Sequence, residues 1–143
     1  NCTVPDNVSL FVPVVNSVNI NTPSVCGQGP VDVSVVDLRA GAAPFIDGSM
    51  NLLVELDGKP VRSRRVQSKV FAAALPEDNI FDAPCESLGG VPGGIFSPAI
   101  DDGYYAQIDG LKAGVHTLHI HAQNPSAGFL LDVTYNLTVK RLR

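Results

Sequence analysis

All three histidines of the chain lie within six residues of the segment GVHTLHIHAQ, at positions 116, 119 and 121. Imidazole nitrogens bind zinc and related metals, and residues two apart in a strand share a face, so His119 and His121 form a candidate metal pair. Asp132 is the only acid that follows them, and it is a candidate third ligand. A cupin-type site commonly adds a glutamate a few residues on, and none follows here, so the spacing favours exposed polar positions over a metal site.

A second set of candidate ligands is acidic. Six of the fourteen acids lie between positions 77 and 102, and carboxylate oxygens are the ligands that calcium prefers. The candidate calcium ligands are Asp78, Asp82, Asp101 and Asp102. Their spacing is not that of an EF-hand, and Gly103 after the last two is equally typical of a turn. Calcium is the one cofactor that the residues suggest, and a chain without any cofactor is the simpler interpretation.

Other motifs for chemistry are missing from the sequence. There is no G-x-S-x-G elbow, no H-E-x-x-H and no cysteine near a histidine along the chain, so we expect a protein that is not an enzyme. Nucleic acid is not an expected partner, because the net charge is −4 and no reading motif occurs. Basic residues cluster in KPVRSRRVQSK and the terminal KRLR, either as solvated surface or as patches that steer self-association. No apolar run is long enough to span a membrane.

Three cysteines allow three single pairings, and spacing alone does not choose among them. Cys26 and Cys85 both fall in loops rich in glycine and proline, where a disulfide constrains the chain most, so we favour that pair. Cys2 is then free or available for a bond between chains. For each cysteine, a buried inert thiol is the alternative.

The sequence also suggests a protein of the cell exterior. Three triplets match the N-x-S/T signal for N-glycosylation, at Asn1, Asn7 and Asn136, whereas proline excludes the one at Asn124. Alternation places Asn7 and Asn136 on outward faces, and chance occurrence of such short triplets is the alternative to occupied sites. The chain starts at Asn1 with no methionine and no apolar leader, so we expect a processed protein that is secreted or at the cell surface.

Period-two alternation dominates the elements that position these residues. It predicts a strand with Val8, Leu10, Val12 and Val14 on one face, placed at a sheet edge by Pro13. A further strand is predicted over MNLLVEL, with Met50 on the same face as Val54 and a turn at Asp57-Gly58. Two more are predicted over 115–124, with Leu118, Ile120 and Ala122 on the core face, and over 129–140, with Tyr135 on the buried face. One short helix near 31–40 and a long Gly/Pro-rich loop at 76–100 complete the pattern. We therefore expect one domain spanning 1–143, an all-β antiparallel sandwich of Ig-like or jelly-roll type with about seven to nine strands.

Two stretches carry a resemblance. The corner Leu111-x-x-Gly114-x-His116-Thr117-Leu118 resembles that of a bacterial immunoglobulin-like module. More broadly, CTVPDNVSLFVPVVNS, LDGKPV and DDGYYAQIDGLKAGVHTLHIHA…DVTYNLTV resemble a group of uncharacterised secreted bacterial β-sandwich proteins. The resemblance covers most of the chain and implies fold and secretion, and it implies no activity.

Two functions suit such a chain. The first is an extracellular structural protein that assembles with itself into a fibre, filament or surface layer. Residues 1–20 are then a candidate donor strand that adds to a neighbouring copy, with Val8, Leu10, Val12 and Val14 as its plugs. The same strand pairing within its own domain is the alternative. The second function is an adhesion module that binds carbohydrate or calcium through the 76–103 loop, with Tyr104 or Tyr105 as a platform for glycans.

Overall fold

The computed structural model describes residues 1–141, which form nine strands and two short α-helices. In chain order the strands are β1 (Cys2–Pro5), β2 (Leu10–Ile20), β3 (Met50–Leu56), β4 (Lys59–Pro60), β5 (Ser63–Gln67), β6 (Phe71–Leu75), β7 (Gly94–Ile108), β8 (Gly114–Asn124) and β9 (Phe129–Lys140). The α-helices are α1 (Val35–Asp47) and α2 (Asp82–Cys85). One sheet has the order β1-β9-β8-β3-β4 and the other β2-β7-β5, with β6 also paired to β7. The predicted all-β sandwich is confirmed.

The chain divides into two compact units. Unit 1 comprises Asn1–Asn16, Phe45–Val66 and the described residues from Gly103 onward, and unit 2 comprises Ser17–Pro44 and Gln67–Asp102. The first sheet lies in unit 1, and β2, β5, β7 and α1 each contribute residues to both units. One domain spanning the whole chain stays a prediction.

Strands β8 and β9 form the longest ladder of unit 1, an antiparallel pair from Gly114↔Val139 to Asn124↔Phe129. The predicted alternation is present in β8, where Leu118, Ile120 and Ala122 are buried. Strand β9 buries Leu137 and Val139, but Tyr135, expected inside, is 43% exposed. These side chains belong to an apolar core in unit 1 that also includes residues of β2, β3 and β7.

The predicted hairpin between β3 and β4 is confirmed. Asp57 and Gly58 both have positive φ (52° and 71°), which is the geometry of a two-residue turn that matches strand twist. At the other end of β3 the register shifts between Met50 and Leu53, and Asn51 adopts a φ of 53°. This bulge turns Met50 outward, which corrects its predicted place on the same face as Val54, a buried residue.

Strand β2 lies at the edge of its sheet, as Pro13 predicts. Within unit 1, Val12 and Val14 are buried, and Val8 and Leu10 are half-buried. In this structure the segment proposed as a donor therefore contributes to the core of its own chain, which is the alternative that the sequence left open. Strand β1 is shorter and pairs in parallel with β9, from Cys2↔Leu137 to Pro5↔Lys140.

The predicted helix is displaced toward the C-terminus. It begins at Val35 instead of near residue 31, because the Ser34 hydroxyl accepts a hydrogen bond from the Asp37 backbone N–H (3.2 Å) and so caps the first turn. It also continues through Gly41 to Asp47. A Cβ at residue 41 would lie 2.9 Å from the Asn19 side chain, so close packing explains this glycine inside a helix.

Unit 2 contains the predicted disulfide, which joins Cys26 to Cys85 across 59 residues. The long loop is shorter than expected. Strand β7 already begins at Gly94, so the stretch 94–100 is extended and pairs with β6, and the segment before it holds α2 and a 3₁₀ turn (Glu86–Leu88). The prediction of an irregular 76–100 was wrong because strand pairing with β6 overrides the local Gly/Pro composition.

Asn21 holds the strand and loop segments of unit 2 together. Its side chain is almost fully buried (2% exposed), and it donates hydrogen bonds to Asp32 Oδ1 (2.9 Å) and to the Ser97 carbonyl (3.2 Å). Its Oδ1 accepts from Gln28 Nε2 (2.8 Å) and from the Val33 backbone N–H (2.9 Å). Four partners satisfy all the hydrogen-bonding capacity of the amide, which is what a buried polar group requires.

Candidate functional site

Histidines and carboxylates from three adjacent strands meet on the outward face of the first sheet. His119 lies opposite Glu55 of β3, and His121 lies opposite Asp132 of β9. His119 Nε2 is 2.8 Å from Asp132 Oδ1, and its Nδ1 is 3.4 Å from Glu55 Oε2. His121 Nδ1 is 3.4 Å from Asp132 Oδ2. The structure therefore brings together the three residues that the sequence singled out and adds Glu55, which the sequence did not indicate.

Electrostatics of this cluster favour a protonated His119. Hydrogen bonds to Asp132 and then to Glu55 raise the pKa of His119 above its ordinary 6.5. Hydrogen bonds from His119 and, to a smaller extent, from His121 lower the pKa of Asp132. Both nitrogens of the His119 ring face carboxylate oxygens, and both donate when the ring is protonated, whereas a metal ligand needs a nitrogen with a free lone pair. Within residues 1–141, no group of three or more His, Cys, Asp or Glu side chains is arranged to hold a metal ion.

His116 lies on the opposite face and has a separate role. Its Nδ1 is 2.8 Å from Asp57 Oδ2 and its Nε2 is 2.9 Å from the Lys112 carbonyl. Asp57 Oδ1 also accepts from the Thr117 backbone N–H (2.8 Å). The hydrogen bond to Asp57 is the main reason that the pKa of His116 is raised, and the hydrogen bond from His116 is the main reason that the pKa of Asp57 is lowered. These contacts fasten the β3–β4 turn to the start of β8.

The candidate calcium ligands serve the backbone and side chains of unit 2. The Asp82 carboxylate accepts from the backbone N–H groups of Asn79 (2.9 Å) and Val91 (3.0 Å), which lower its pKa. Asp102 is buried and accepts from Gln67 Nε2 (3.0 Å). Asp101 is half-buried, and Asp78 is exposed. Calcium binding by these residues stays a prediction.

The candidate N-glycosylation sites and the unpaired cysteine lie on the protein surface. The three asparagines of the N-x-S/T triplets are exposed (Asn1, Asn7 and Asn136). Cys2 is a free, exposed cysteine at the start of β1. Whether these asparagines carry glycans stays a prediction.

An apolar cleft opens beside β1 in unit 1, with a volume of about 340 Å³. We call it the edge cleft. It is lined by Cys2 and Val4 of β1, by the segment Ser9–Pro13, and by side chains of β8 and β9 (Leu118, Ile120, Tyr135 and Leu137). Leu118, Ile120 and Leu137 are core residues, each under 5% exposed. The edge cleft therefore lies against the core of unit 1, although these core side chains themselves are shielded from solvent.

A second cleft was not predicted from the sequence. Phe11 of β2 stacks on Tyr105 of β7, with ring centroids 4.7 Å apart and an interplanar angle of 11°. Beside this pair lie Arg62 and Arg64, in a cleft of about 390 Å³ that also includes Val66, Gln107 and Asp109. Tyr105 was a predicted glycan platform, but its neighbours come from positions 11 and 62–66 of the sequence. Alternation predicts that Arg62, Arg64 and Val66 share a face, and this was the available signal.

The chain matches no protein-family model, and comparison with curated proteins and with solved structures gives no significant match. Among the described residues, no helix has the length and apolar character needed to cross a membrane. The disulfide between Cys26 and Cys85 is compatible with a secreted protein.

Proposed function

We propose that the protein is an extracellular, non-enzymatic structural subunit that assembles with copies of itself into filaments or layers by exchanging its N-terminal segment. Strand β1 leaves β9 of its own chain and pairs with β9 of a neighbour, as in domain swapping. The observation that carries this proposal is the pairing of the four-residue strand β1 with β9 at the edge of the first sheet, because β1 of a second copy can make the same pairing.

The weak attachment of β1 supports exchange. The strand has four residues, and Val4 is its one side chain packed against the core of unit 1. Burying a valine contributes at most about 2 kcal/mol, so the strand is held mainly by its backbone pairing with β9. An exchanged strand makes the same pairing with the neighbour, and the free-energy difference between the two states is therefore small.

The connection between β1 and β2 supports it as well. Four residues (6–9) join the strands, and Asn7 adopts a φ of 59°, in the left-handed region that asparagine tolerates. Short connections favour domain swapping, because a connection that turns back within one chain can extend toward a neighbour in the swapped state. The exposed N-glycosylation triplets, the disulfide and the resemblance to secreted bacterial sandwich proteins support an extracellular location.

Disulfide trapping tests the exchange directly. Thr3 and Thr138 are partners in the β1–β9 pair, so cysteines at both positions are close enough to bond. In a Cys2→Ser background, Thr3→Cys/Thr138→Cys protein is oxidised mildly and run on non-reducing gels. Exchange predicts a ladder that extends beyond dimers, because each chain bonds to two neighbours. Each single-cysteine variant is the matched control and stops at dimers.

A chain in which β1 pairs only with its own β9 gives a different result. Quantitative oxidation with monomers alone at every protein concentration would contradict the proposal. Negative-stain electron microscopy of the unmodified protein provides a second measurement that no substitution affects. Regular filaments or sheets are expected, and a dispersed species with the mass of one chain by light scattering, at every concentration tested, would also refute assembly.

A further inference from the structure

The cleft around Phe11 and Tyr105 has the composition of a ligand site. It shares Phe11 with the edge cleft, but its argument does not rest on the exchange of β1. We call it the aromatic–arginine cleft, and it comprises Phe11, Tyr105, Arg62, Arg64, Gln107 and Asp109. All six belong to unit 1 and come from β2, β5 with the residue before it, and β7 with the residue after it. Its volume of about 390 Å³ falls in the range of small-ligand sites, roughly 300–1,000 Å³.

An exposed aromatic ring forms the floor of this cleft. Phe11 is 65% exposed although it stacks on Tyr105, so most of its surface remains open to solvent. Stacking on Tyr105 fixes the orientation of the Phe11 ring. A rigid, exposed aromatic face is what the apolar face of a sugar ring or of a planar group packs against.

Two cations stand beside the aromatic floor. Arg62 and Arg64 are exposed, and within residues 1–141 neither makes an ion pair or a hydrogen bond. Arg65, which points to the other face of β5, instead pairs with Asp47. Guanidinium groups bind carboxylates through paired N–H donors, so two unpaired arginines on one face match an anionic ligand.

The polar groups of the cleft determine the kind of anion. Gln107 Nε2 donates to both oxygens of Asp109 (3.0 and 3.1 Å), which holds this carboxylate in place and leaves Gln107 Oε1 as an acceptor. Acceptors of this kind bind hydroxyl groups. A ligand that carries a carboxylate together with several hydroxyl groups on each ring fits both the arginine donors and these acceptors.

We propose that the aromatic–arginine cleft binds an acidic polysaccharide of the uronic-acid class. A sugar ring packs against Phe11, its carboxylate pairs with Arg62 and Arg64, and its hydroxyls donate to Gln107 and Asp109. The cleft lies on a sheet face, so a polymer chain passes across it instead of entering a closed pocket.

Calorimetric titration of the whole chain with an oligogalacturonate tests this assignment, with a neutral oligogalactose and a single-stranded oligonucleotide as comparisons. Binding of the oligogalacturonate alone, weakened by added salt, is expected. Arg64→Gln removes a charge-assisted contact and is expected to weaken binding roughly tenfold or more. Lys59→Gln removes one positive charge from an exposed position in the other sheet and should leave binding within about twofold, because that charge lies outside the cleft.

Phe11→Ala removes the aromatic ring and keeps the charges of the cleft, so it is expected to weaken binding of the oligogalacturonate. Phe11→Tyr keeps the ring and is expected to bind as the wild type does. Melting temperatures of all variants establish that they fold. Equal affinity for the neutral and acidic sugars, or an unchanged affinity in Arg64→Gln, would overturn the proposal. Tighter binding of the oligonucleotide than of the oligogalacturonate would replace the glycan with a nucleic acid, and no binding of any of the three probes would reject the site.

Discussion

The two units of the molecule are stabilised in different ways. Thirteen buried apolar side chains form the core of unit 1, whereas the buried cluster of unit 2 contains three, namely Leu38, Ala42 and Ile100. Unit 2 has instead a disulfide and the buried Asn21 amide, which join segments distant in sequence, and the Asp82 carboxylate, which binds backbone N–H groups on both sides of α2. A small apolar cluster gives little hydrophobic free energy, so covalent and polar contacts must supply the difference.

The largest expected difference between the units follows removal of the disulfide. A bridge that closes 59 residues lowers the entropy of the unfolded chain enough to contribute about 4 kcal/mol. In Cys26→Ala/Cys85→Ala protein, hydrogen exchange measured by mass spectrometry should accelerate most in β6 and in the 76–93 segment, and least in β8. Cys2→Ser is the control, because Cys2 forms no disulfide here. Equal loss of protection in β8 would mean that the two units unfold together.

The two units can also be compared by the stability cost of one polar substitution in unit 2 and one apolar substitution in unit 1. Asn21→Leu keeps similar volume but leaves the Val33 N–H and the Ser97 carbonyl without this partner, so the free energy of unfolding should fall by roughly 2 kcal/mol. Ile120→Val in unit 1 removes one buried methylene and should cost about 1 kcal/mol. Urea titrations of both variants with unchanged m-values measure the two costs. A smaller cost for Asn21→Leu than for Ile120→Val would show that unit 2 does not depend on this amide.

The smallest expected effect belongs to the exposed face of unit 1 and depends on pH. The folded protein raises the pKa of His119, so its stabilising contribution is fully present below about 6.5 and is lost as pH rises through the higher folded value. The lowered pKa of Asp132 gives the opposite dependence, with stability lost as pH falls below its ordinary 3.8. The difference in melting temperature between wild type and His119→Gln should therefore be largest near pH 5–6 and shrink above pH 7.

The pKa of His116 is also raised, so its contribution to the pH dependence must be measured separately. His116→Gln removes the Asp57 contact while leaving the outward cluster intact. Salt should reduce the His119 effect, since these groups are exposed. A melting-temperature difference for His119→Gln that is constant from pH 5 to 8 would show that protonation of His119 contributes nothing to stability.

Local sequence patterns predicted the parts of the fold that local chemistry determines. Alternation placed Leu118 and Ile120 inside and His119 and His121 outside, because the strand period is two regardless of the neighbouring strands. Asp57-Gly58 predicted its turn because both positions need positive φ. The Cys26–Cys85 disulfide was favoured from loop composition and is confirmed.

Features that depend on pairing between strands distant in sequence were not predicted. The start of β7 at Gly94 depends on β6, and the aromatic–arginine cleft depends on which strands become neighbours in the second sheet. Glu55 joins the histidine cluster only because β3 pairs with β8 in one particular register. Register and strand order are set by the assembled core, which no single segment encodes.

The parallel pairing of β1 with β9 has a mechanical consequence. The two strands run in the same direction, from Cys2↔Leu137 to Pro5↔Lys140, so tension applied at Cys2 and at Lys140 slides them along each other. Their evenly spaced hydrogen bonds, and the one from the Asp6 N–H to the Lys140 carbonyl (2.7 Å), then stretch together instead of opening one after another. A chain pulled from these two points resists in shear, and exchange of β1 between copies would pass that resistance from one subunit to the next.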